Sequence, residues 1–335
     1  MIPRTVPTWQ TNHWQDELAD LIRDPRELLQ LLDLDPALAG PGDAAQQQFP
    51  LRVPRAFVAK MRRGDSRDPL LRQVLPLGEE LTASAGYSRD PLLETSSNPH
   101  AGLIHKYAGR VLLIVARQCA IHCRYCFRRH FPYQDNSPGR RAWQAALDYI
   151  RADTGISEVI YSGGDPLALP DKQLAWLSGE IDAIAHVKRL RIHTRLPVVL
   201  PNRIDDGCLR WLSATRLQTV VVLHANHANE IDAEVGAATA RLREAGATVL
   251  NQTVLLRGVN DSVEALAALS ETLFARGILP YYLHLLDKVA GAAHFDIPLP
   301  QARALYRQLL GRLPGYLVPR LVREEPNAAS KTPIL

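Results

Sequence analysis

The sequence predicts an α/β protein in which a parallel sheet is covered by helices, and two observations carry that expectation. From residue 105 onward, apolar runs alternate with amphipathic segments. Six of the runs have the length and composition of buried strands: Val111–Ala116, Glu158–Ser162, Leu190–Thr194, Thr219–Leu223, Thr248–Leu255 and Pro280–Leu285. Near-continuous apolar strands separated by helices indicate a parallel sheet with covered faces. Six strand–helix units either close partly into a barrel or lie open as a doubly wound sheet, and the pattern alone leaves both open. In either case functional side chains belong just past the strand C-termini.

Taken in order, residues 1–104 read as a mainly helical region. Glu17, Leu18, Leu21 and Ile22, then Leu28 to Leu34, place apolar residues at helical spacing, with breaks expected at Pro25 and Pro36. The Pro- and Gly-bearing stretch Ala39 to Pro50 reads as a loop, and this region shows no chemistry beyond packing. Residues 105–297 form the strand–helix core. Its clearest helices are Asn229 to Ala245, stopped by Gly246, and Asp261 to Arg276, started by Asp261 and Glu264 and ended by Gly277. Residues 298–335 read as a carboxy-terminal helix followed by a short segment.

Over 335 residues, 46% are hydrophobic and 22% charged, which is ordinary for a globular protein. The net charge of +4 is scattered. Its densest run, Arg128-Arg129-His130, suits an anion site better than a nucleic-acid footprint, so no nucleic-acid partner is expected. The opening Met1-Ile2-Pro3-Arg4-Thr5-Val6-Pro7 has no apolar stretch or cleavage site, and no apolar run reaches membrane-spanning length. A cytoplasmic protein is expected, in which disulfides are rare.

Three of the four cysteines lie within eight residues, Cys119-Ala120-Ile121-His122-Cys123-Arg124-Tyr125-Cys126, just after the first apolar strand. Three thiolates spaced C-x3-C-x2-C can cap three irons of a cubane and leave the fourth open to chelate a ligand. A structural zinc site is the plain alternative, with His122 or His130 as fourth ligand, but no second half-site is present. Cys208, alone at the start of a helix, reads as a small buried apolar residue. Ser162-Gly163-Gly164-Asp165-Pro166 follows the second strand, His224 the fourth and Asp287 the sixth, so the candidates converge on one face. Two glycines there let backbone approach a ligand closely, and Asp165 is placed to receive an ammonium group.

The cysteine motif, with an aromatic residue before its last cysteine, resembles the signature of the radical S-adenosylmethionine superfamily. The resemblance implies a partial (β/α)6 barrel. It also implies a 4Fe–4S cluster on Cys119, Cys123 and Cys126 whose open iron binds S-adenosylmethionine, releasing a 5′-deoxyadenosyl radical after one-electron cleavage. Ser162, Gly163, Gly164 and Asp165 match the family's methionine-binding loop, and His224 and Gln252 are implied S-adenosylmethionine contacts.

Over nearly the whole chain the likeness is to the lysine 2,3-aminomutase family. It includes His105-Lys106-Tyr107, Cys126-Phe127-Arg128-Arg129, Asn226 to Glu230, Asn251 to Asp261, Pro280-Tyr281-Tyr282 and the Lys331-Thr332-Pro333 context. The family implies that Lys331 forms a Schiff base with pyridoxal 5′-phosphate, with Lys106, Tyr107 and Arg110 near its phosphate or ring. Arg128 is implied to clamp the substrate carboxylate, and Asp287 to meet the distal ammonium of lysine. Glu324 stands where free-lysine enzymes carry an aspartate, so the second ammonium contact is left open.

The implied reaction moves the amino group of lysine from C2 to C3 without net redox change. Two features resemble the branch that converts (S)-α-lysine to (R)-β-lysine for modification of elongation factor P. The sequence stops four residues after Lys331, and Arg52 to Phe57, Asp68 to Leu75 and Gly291 to Phe295 are similar to that branch. This implies an electron-donor protein and a functional link to the factor and its lysyl ligase, and leaves a homo-oligomer open. A free amino acid 2,3-aminomutase acting on lysine or arginine is the nearer alternative. A zinc-binding protein is the remote one.

Overall fold

The computed structural model describes residues 13–136 and 139–334. The amino-terminal run read above for a cleavage site and the final Leu335 lie outside the described residues. The nine strands of the sheet follow sequence order: β1 Leu103–Tyr107, β2 Arg110–Ala116, β3 Glu158–Gly163, β4 Arg189–Thr194, β5 Gln218–His224, β6 Thr248–Val254, β7 Leu279–His284, β8 Arg320–Arg323 and β9 Thr332–Pro333. Strands β2 to β8 pair in parallel, and β1 and β9 add antiparallel edges. The six expected strands coincide with β2 to β7. The boundary drawn between residues 104 and 105 falls inside β1, which had been assigned partly to the helical region.

Strict sequential order settles what the pattern left open. A doubly wound sheet reverses its strand order at a switch point, and this one never does. Right-handed crossovers that always advance in one direction leave every helix on the same face, so the sheet must curl around its other face.

Four short helices precede the sheet: α1 Trp14–Ala19, α2 Pro25–Leu31, α3 Asp43–Gln48 and α4 Arg55–Val58. The sheet is then covered by α5 Arg140–Ala152, α6 Asp171–Asp182, α7 Leu196–Val199, α8 Asp206–Ser213, α9 Ala233–Glu244, α10 Val263–Ala275 and α11 Leu299–Arg312. Val159, Tyr161, Leu190, Ile192, Val221 and Leu223 point outward and share a core with Leu147, Leu177, Leu212 and Val235 of the helices. The alternate residues Ser162, Arg191, His193, His224, Gln252 and His284 line a cavity instead. The strands are therefore not apolar on both faces, as their runs suggested; the concave face is polar because it encloses a site.

Several local expectations change for identifiable reasons. Pro25 opens α2 instead of breaking a helix, since a first-turn proline loses no needed N–H and Asp24 caps the turn through Arg26 N. The stretch expected as a loop from Ala39 to Pro50 contains α3. Helix α9 begins only at Ala233, capped by Asp232, after a separate turn over Ala228–Glu230. Helix α10 is capped by the Ser262 hydroxyl, which accepts from Ala265 N at 3.2 Å, and not by Asp261. Cys208 is buried in α8, as expected.

The amino-terminal region does not stand apart. Trp14, Ile22, Leu28, Phe57 and Leu71 belong to the same core as the sheet. Lys60 Nζ donates to Val198 O at 2.9 Å and to Glu230 O at 3.0 Å. Glu80 takes Arg124 through both its oxygens, at 2.9 and 2.6 Å, and Arg129 at 2.8 Å, all out of contact with water. This pairing fixes the cysteine loop to the helices before it. No helix among the described residues is long and apolar enough to cross a membrane.

Removing one partner of a buried ion pair strands the other charge, at a cost of about 3–5 kcal/mol. Glu80→Ala, which leaves two buried guanidinium groups uncompensated, is expected to lower stability by that order in urea unfolding of the cofactor-free chain. A loss of less than about 1 kcal/mol, the value of an exposed pair, would contradict the anchoring role.

Candidate active site

A cavity of about 680 Å³ occupies the concave side of the sheet. Every residue that the family resemblance implies for cluster, cofactor or substrate lines it: Cys119, Cys123 and Cys126; Ser162, Gly163, Gly164 and Asp165; His224 and Gln252; Lys106, Tyr107 and Arg110; Arg128, Asp287, Glu324 and Lys331. Its size lies in the upper part of the range for small-molecule and cofactor sites.

The cysteine loop leaves β2 and is held by backbone at each step. His122 N donates to Arg52 O at 2.9 Å, Arg124 N to Gln73 O at 2.9 Å and Cys126 N to Cys123 O at 3.0 Å. Both proposed zinc-ligand histidines are engaged elsewhere. His122 Nδ1 pairs with Pro50 O at 2.7 Å and its ring stacks on Phe49, while His130 Nε2 pairs with Ala290 O at 3.2 Å. Burial pushes the Cys119 thiol well up and the Cys126 thiol up to about 11. Among the described residues no three histidine, cysteine or acidic side chains converge as ligands of one metal ion. A cubane asks for something different, three thiolates each on its own iron, and the three cysteines on one cavity wall fit that demand.

The Gly163-Gly164 turn makes its close approach to the chain itself. A Cβ on Gly163 would lie 2.4 Å from Ala116 O, and one on Gly164 would lie 2.4 Å from Gln118 O. Gly163 also has φ of 118°, a region side chains avoid. Gly164 N donates to Ala116 O at 2.7 Å and Asp165 N to Gln118 O at 2.8 Å. The glycines thus clamp the turn onto the strand end that launches the cysteines. The Asp165 side chain is likewise engaged within the chain. Its carboxylate already accepts from Thr194 Oγ1 (2.6 Å), Arg195 N (2.7 Å), Leu196 N (3.0 Å) and Leu167 N (3.1 Å). With its acceptor sites filled internally, it joins the turn after β3 to the turn after β4.

At the other end of the cavity the two edges of the sheet approach each other without backbone pairing, and side chains stitch the seam. Glu324, just after β8, is ion-paired with Lys331, which precedes β9. From β1, Tyr107 Oη donates to Glu324 at 3.0 Å and Lys106 Nζ lies 3.6 Å from it. Lys331 and Lys106 pull the Glu324 carboxyl down to about 2 against the effect of burial. The Arg110 guanidinium stacks on Tyr107 at 4.5 Å. Asp287 is half-buried, with no hydrogen-bond donor on its carboxylate among the described residues. Burial and repulsion from Glu324 raise it to about 7, with Lys331 opposing.

Arg128 is also more committed than expected. Its Nε and Nη2 hold Glu94 at 2.7 and 2.8 Å, and Nη1 donates to Ser162 Oγ at 2.8 Å. Nη1 also donates to Gly163 O at 3.5 Å, so of five N–H donors one on Nη2, at the end of the fork, is left for a carboxylate.

Sequence reasoning passed over Glu94, from the region read as packing alone, and the inward residues His193 and His284. His284 is buried and His193 half-buried, burial holds both imidazoles neutral, and their Nε2 atoms have no hydrogen-bond partner among the described residues. Orphaned polar atoms facing a cavity of this size fit a polar ligand beside Lys331. His224 instead pairs with Gln252 Nε2 at 2.8 Å. The periodicity carried a signal for the histidines, since positions 191, 193, 224, 252 and 284 interrupt otherwise apolar strands.

Residues 113–269 match the Radical SAM superfamily, which places the cysteine triad and parallel sheet in a class of enzymes that generate radicals. Full-length relatives narrow this further. The chain is 50% identical to the L-lysine 2,3-aminomutase of Escherichia coli over 98% of its length and 96% of that protein's. It is 47% identical to that of Haemophilus influenzae, over 99% and 98%. It is 33% identical to that of Clostridium subterminale, over 97% of this chain and 78% of the relative. The chain belongs to the L-lysine 2,3-aminomutase family of radical SAM isomerases.

Asp287 ionises near 3.8 when solvated and near 7 in the folded chain. A raised acid gives its full stability below the unfolded value and loses it as pH rises through the folded one. Asp287→Asn is therefore expected to unfold at a higher temperature than the parent at about pH 8, with the gap closing near pH 4. Thermal unfolding of the cofactor-free chain at both pH values reads this, and a gap independent of pH would contradict it.

Proposed function

We propose that this chain is a lysine 2,3-aminomutase converting (S)-α-lysine to (R)-β-lysine, with a 4Fe–4S cluster on Cys119, Cys123 and Cys126, S-adenosylmethionine, and pyridoxal 5′-phosphate on Lys331. The observation that carries the reading is a single cavity onto which three thiols, the amines of Lys106 and Lys331 and the carboxyl groups of Asp287 and Glu324 all open. When bound, these groups supply a carbon radical and a π-system through which an amino group can migrate.

The chain's own side chains do the rest. Ser162, the Gly163-Gly164 backbone, His224 and Gln252 line the S-adenosylmethionine end. Asp165 lines the same wall and fixes it through its four hydrogen bonds. Lys106 and Arg110 supply positive charge for a phosphate, with Tyr107 against the ring. The free end of the Arg128 fork takes the substrate carboxylate, its orientation set by Glu94. An ammonium arriving beside Asp287 supplies the charge that its carboxylate lacks and lets it ionise at neutral pH. Glu324 then serves both ammonium groups, holding Lys331 until the cofactor engages it. A substrate with a side-chain carboxylate would meet two carboxyl groups and be repelled.

The product's destination is proposed as elongation factor P, through a separate ligase. The stretches Arg52 to Phe57, Asp68 to Leu75 and Gly291 to Phe295, which resemble that branch, support the proposal. A cytoplasmic location, an electron-donor protein and a division at residues 1–104, 105–297 and 298–335 belong to the same reading.

The deciding experiment is chiral analysis of the product from anaerobic enzyme supplied with lysine, dithionite and both organic cofactors. (R)-β-lysine is expected, and a product from arginine alone would favour the free amino acid branch. Lys331→Ala is expected to lose pyridoxal absorbance and turnover while keeping its iron, and normal turnover would overturn that assignment. Cys123→Ala should lose the cluster together with cleavage of S-adenosylmethionine.

A further inference from the structure

Arg195 follows β4 and is buried at 4% exposure. Its Nη1 lies 2.7 Å from Cys123 Sγ and 2.8 Å from Tyr125 Oη, and its Nη2 lies 2.7 Å from Gln73 Oε1 and 2.8 Å from Glu230 Oε2. Its backbone N–H is one of the four donors on Asp165. We propose that Arg195 is a positioning residue of the cluster, whose guanidinium donates to the Cys123 sulfur and, against the fixed counter-charge of Glu230, sets how readily the cluster accepts an electron. This rests on the reading that Cys123 ligates an iron.

The guanidinium has little freedom to do otherwise. Glu230 is wholly buried and immobilised, its Oε1 accepting from Asn226 N (2.8 Å), His227 N (3.0 Å) and Gln73 Nε2 (3.0 Å). Asn226 Nδ2 closes the network on Gln73 Oε1 at 2.9 Å and Tyr125 Oη at 2.6 Å. With Nη2 tied to Gln73 and Glu230, Nη1 is aimed at the sulfur. Reduction adds negative charge that spreads onto the cluster sulfurs. A cationic donor on one of them stabilises the reduced form, and a carboxylate behind that donor works against it. Burial strengthens both effects because little solvent screens them.

A purely structural anchor makes a different prediction. Loss of either Arg195 or Glu230 would then loosen the same loop and move the cluster in the same direction. An electrostatic role requires opposite signs.

The test is a redox titration of the anaerobically reconstituted chain, followed by electron paramagnetic resonance. Arg195→Leu is expected to make one-electron reduction at least tenfold less favourable, a shift of roughly 59 mV to more negative potential. Arg195→Lys, which keeps the charge but not the fork, should shift less in the same direction. Glu230→Gln, which keeps the shape but removes the counter-charge, should shift to more positive potential. Shifts of one sign for Arg195→Lys and Glu230→Gln, or an unchanged potential in loaded Arg195→Leu, would overturn the proposal. If Arg195→Leu holds no iron, the other two variants decide alone, with opposite shifts in support and equal or absent shifts against. A parent chain without a cubane signal would sink the cluster reading itself, a result distinct from any shift in a loaded chain.

Discussion

The geometry of the site depends on one buried carboxylate. Asp165 accepts four hydrogen bonds, from its own turn and from the first residues after β4. Its backbone N–H, with that of Gly164, grips the end of β2. Three consecutive strand ends are thereby fixed relative to one another, and the cysteine loop starts from the first of them. Every Asp165 acceptor position is filled by the protein, which opposes the cost of its burial and holds it in place. Rigid placement matters most where ligands must be held to a fraction of an ångström.

Around that point the fold assigns different work to the two faces of each strand. Outward residues meet helices and form the core. Inward residues cannot, because a sheet wound in one direction has nothing to pack against on its concave side except its own curvature. That face carries imidazoles, a guanidinium and an amide, and the outer face supplies the stability that allows it. The amino-terminal helices complete the arrangement by sending Gln73, Glu80 and Glu94 to the cysteine loop, Arg195 and Arg128.

Much of this was legible in the chain. The six central strands showed because buried apolar runs are long and bounded, and the cysteines, Lys331 and Asp287 showed because rare residue types stood at strand ends or in known motifs. The three remaining strands did not, for β9 is two residues long and β8 four, too short for any period to emerge. Glu94 and Arg195 were missed for another reason. Their roles come from partners far away in sequence, 34 residues for Glu94 with Arg128 and 72 for Arg195 with Cys123, and no local pattern encodes such a pairing. At Asp165 the motif does not reveal that neighbouring backbone N–H groups and the Thr194 hydroxyl fill its acceptor positions.

The seam beside Lys331 has a consequence for how the molecule behaves in company. An unclosed parallel sheet ends in two rows of backbone donors and acceptors, each a template on which a foreign strand could add. Here one row is covered by β1, with an irregular register between Ile104 and Tyr107, and the other by the two-residue β9. A strand that is interrupted, or that spans only a single pleat repeat, offers no straight rail for a neighbour, and Lys106 and Glu324 set charge along the gap. The opening that admits a ligand is thus a poor template for the strand of another polypeptide.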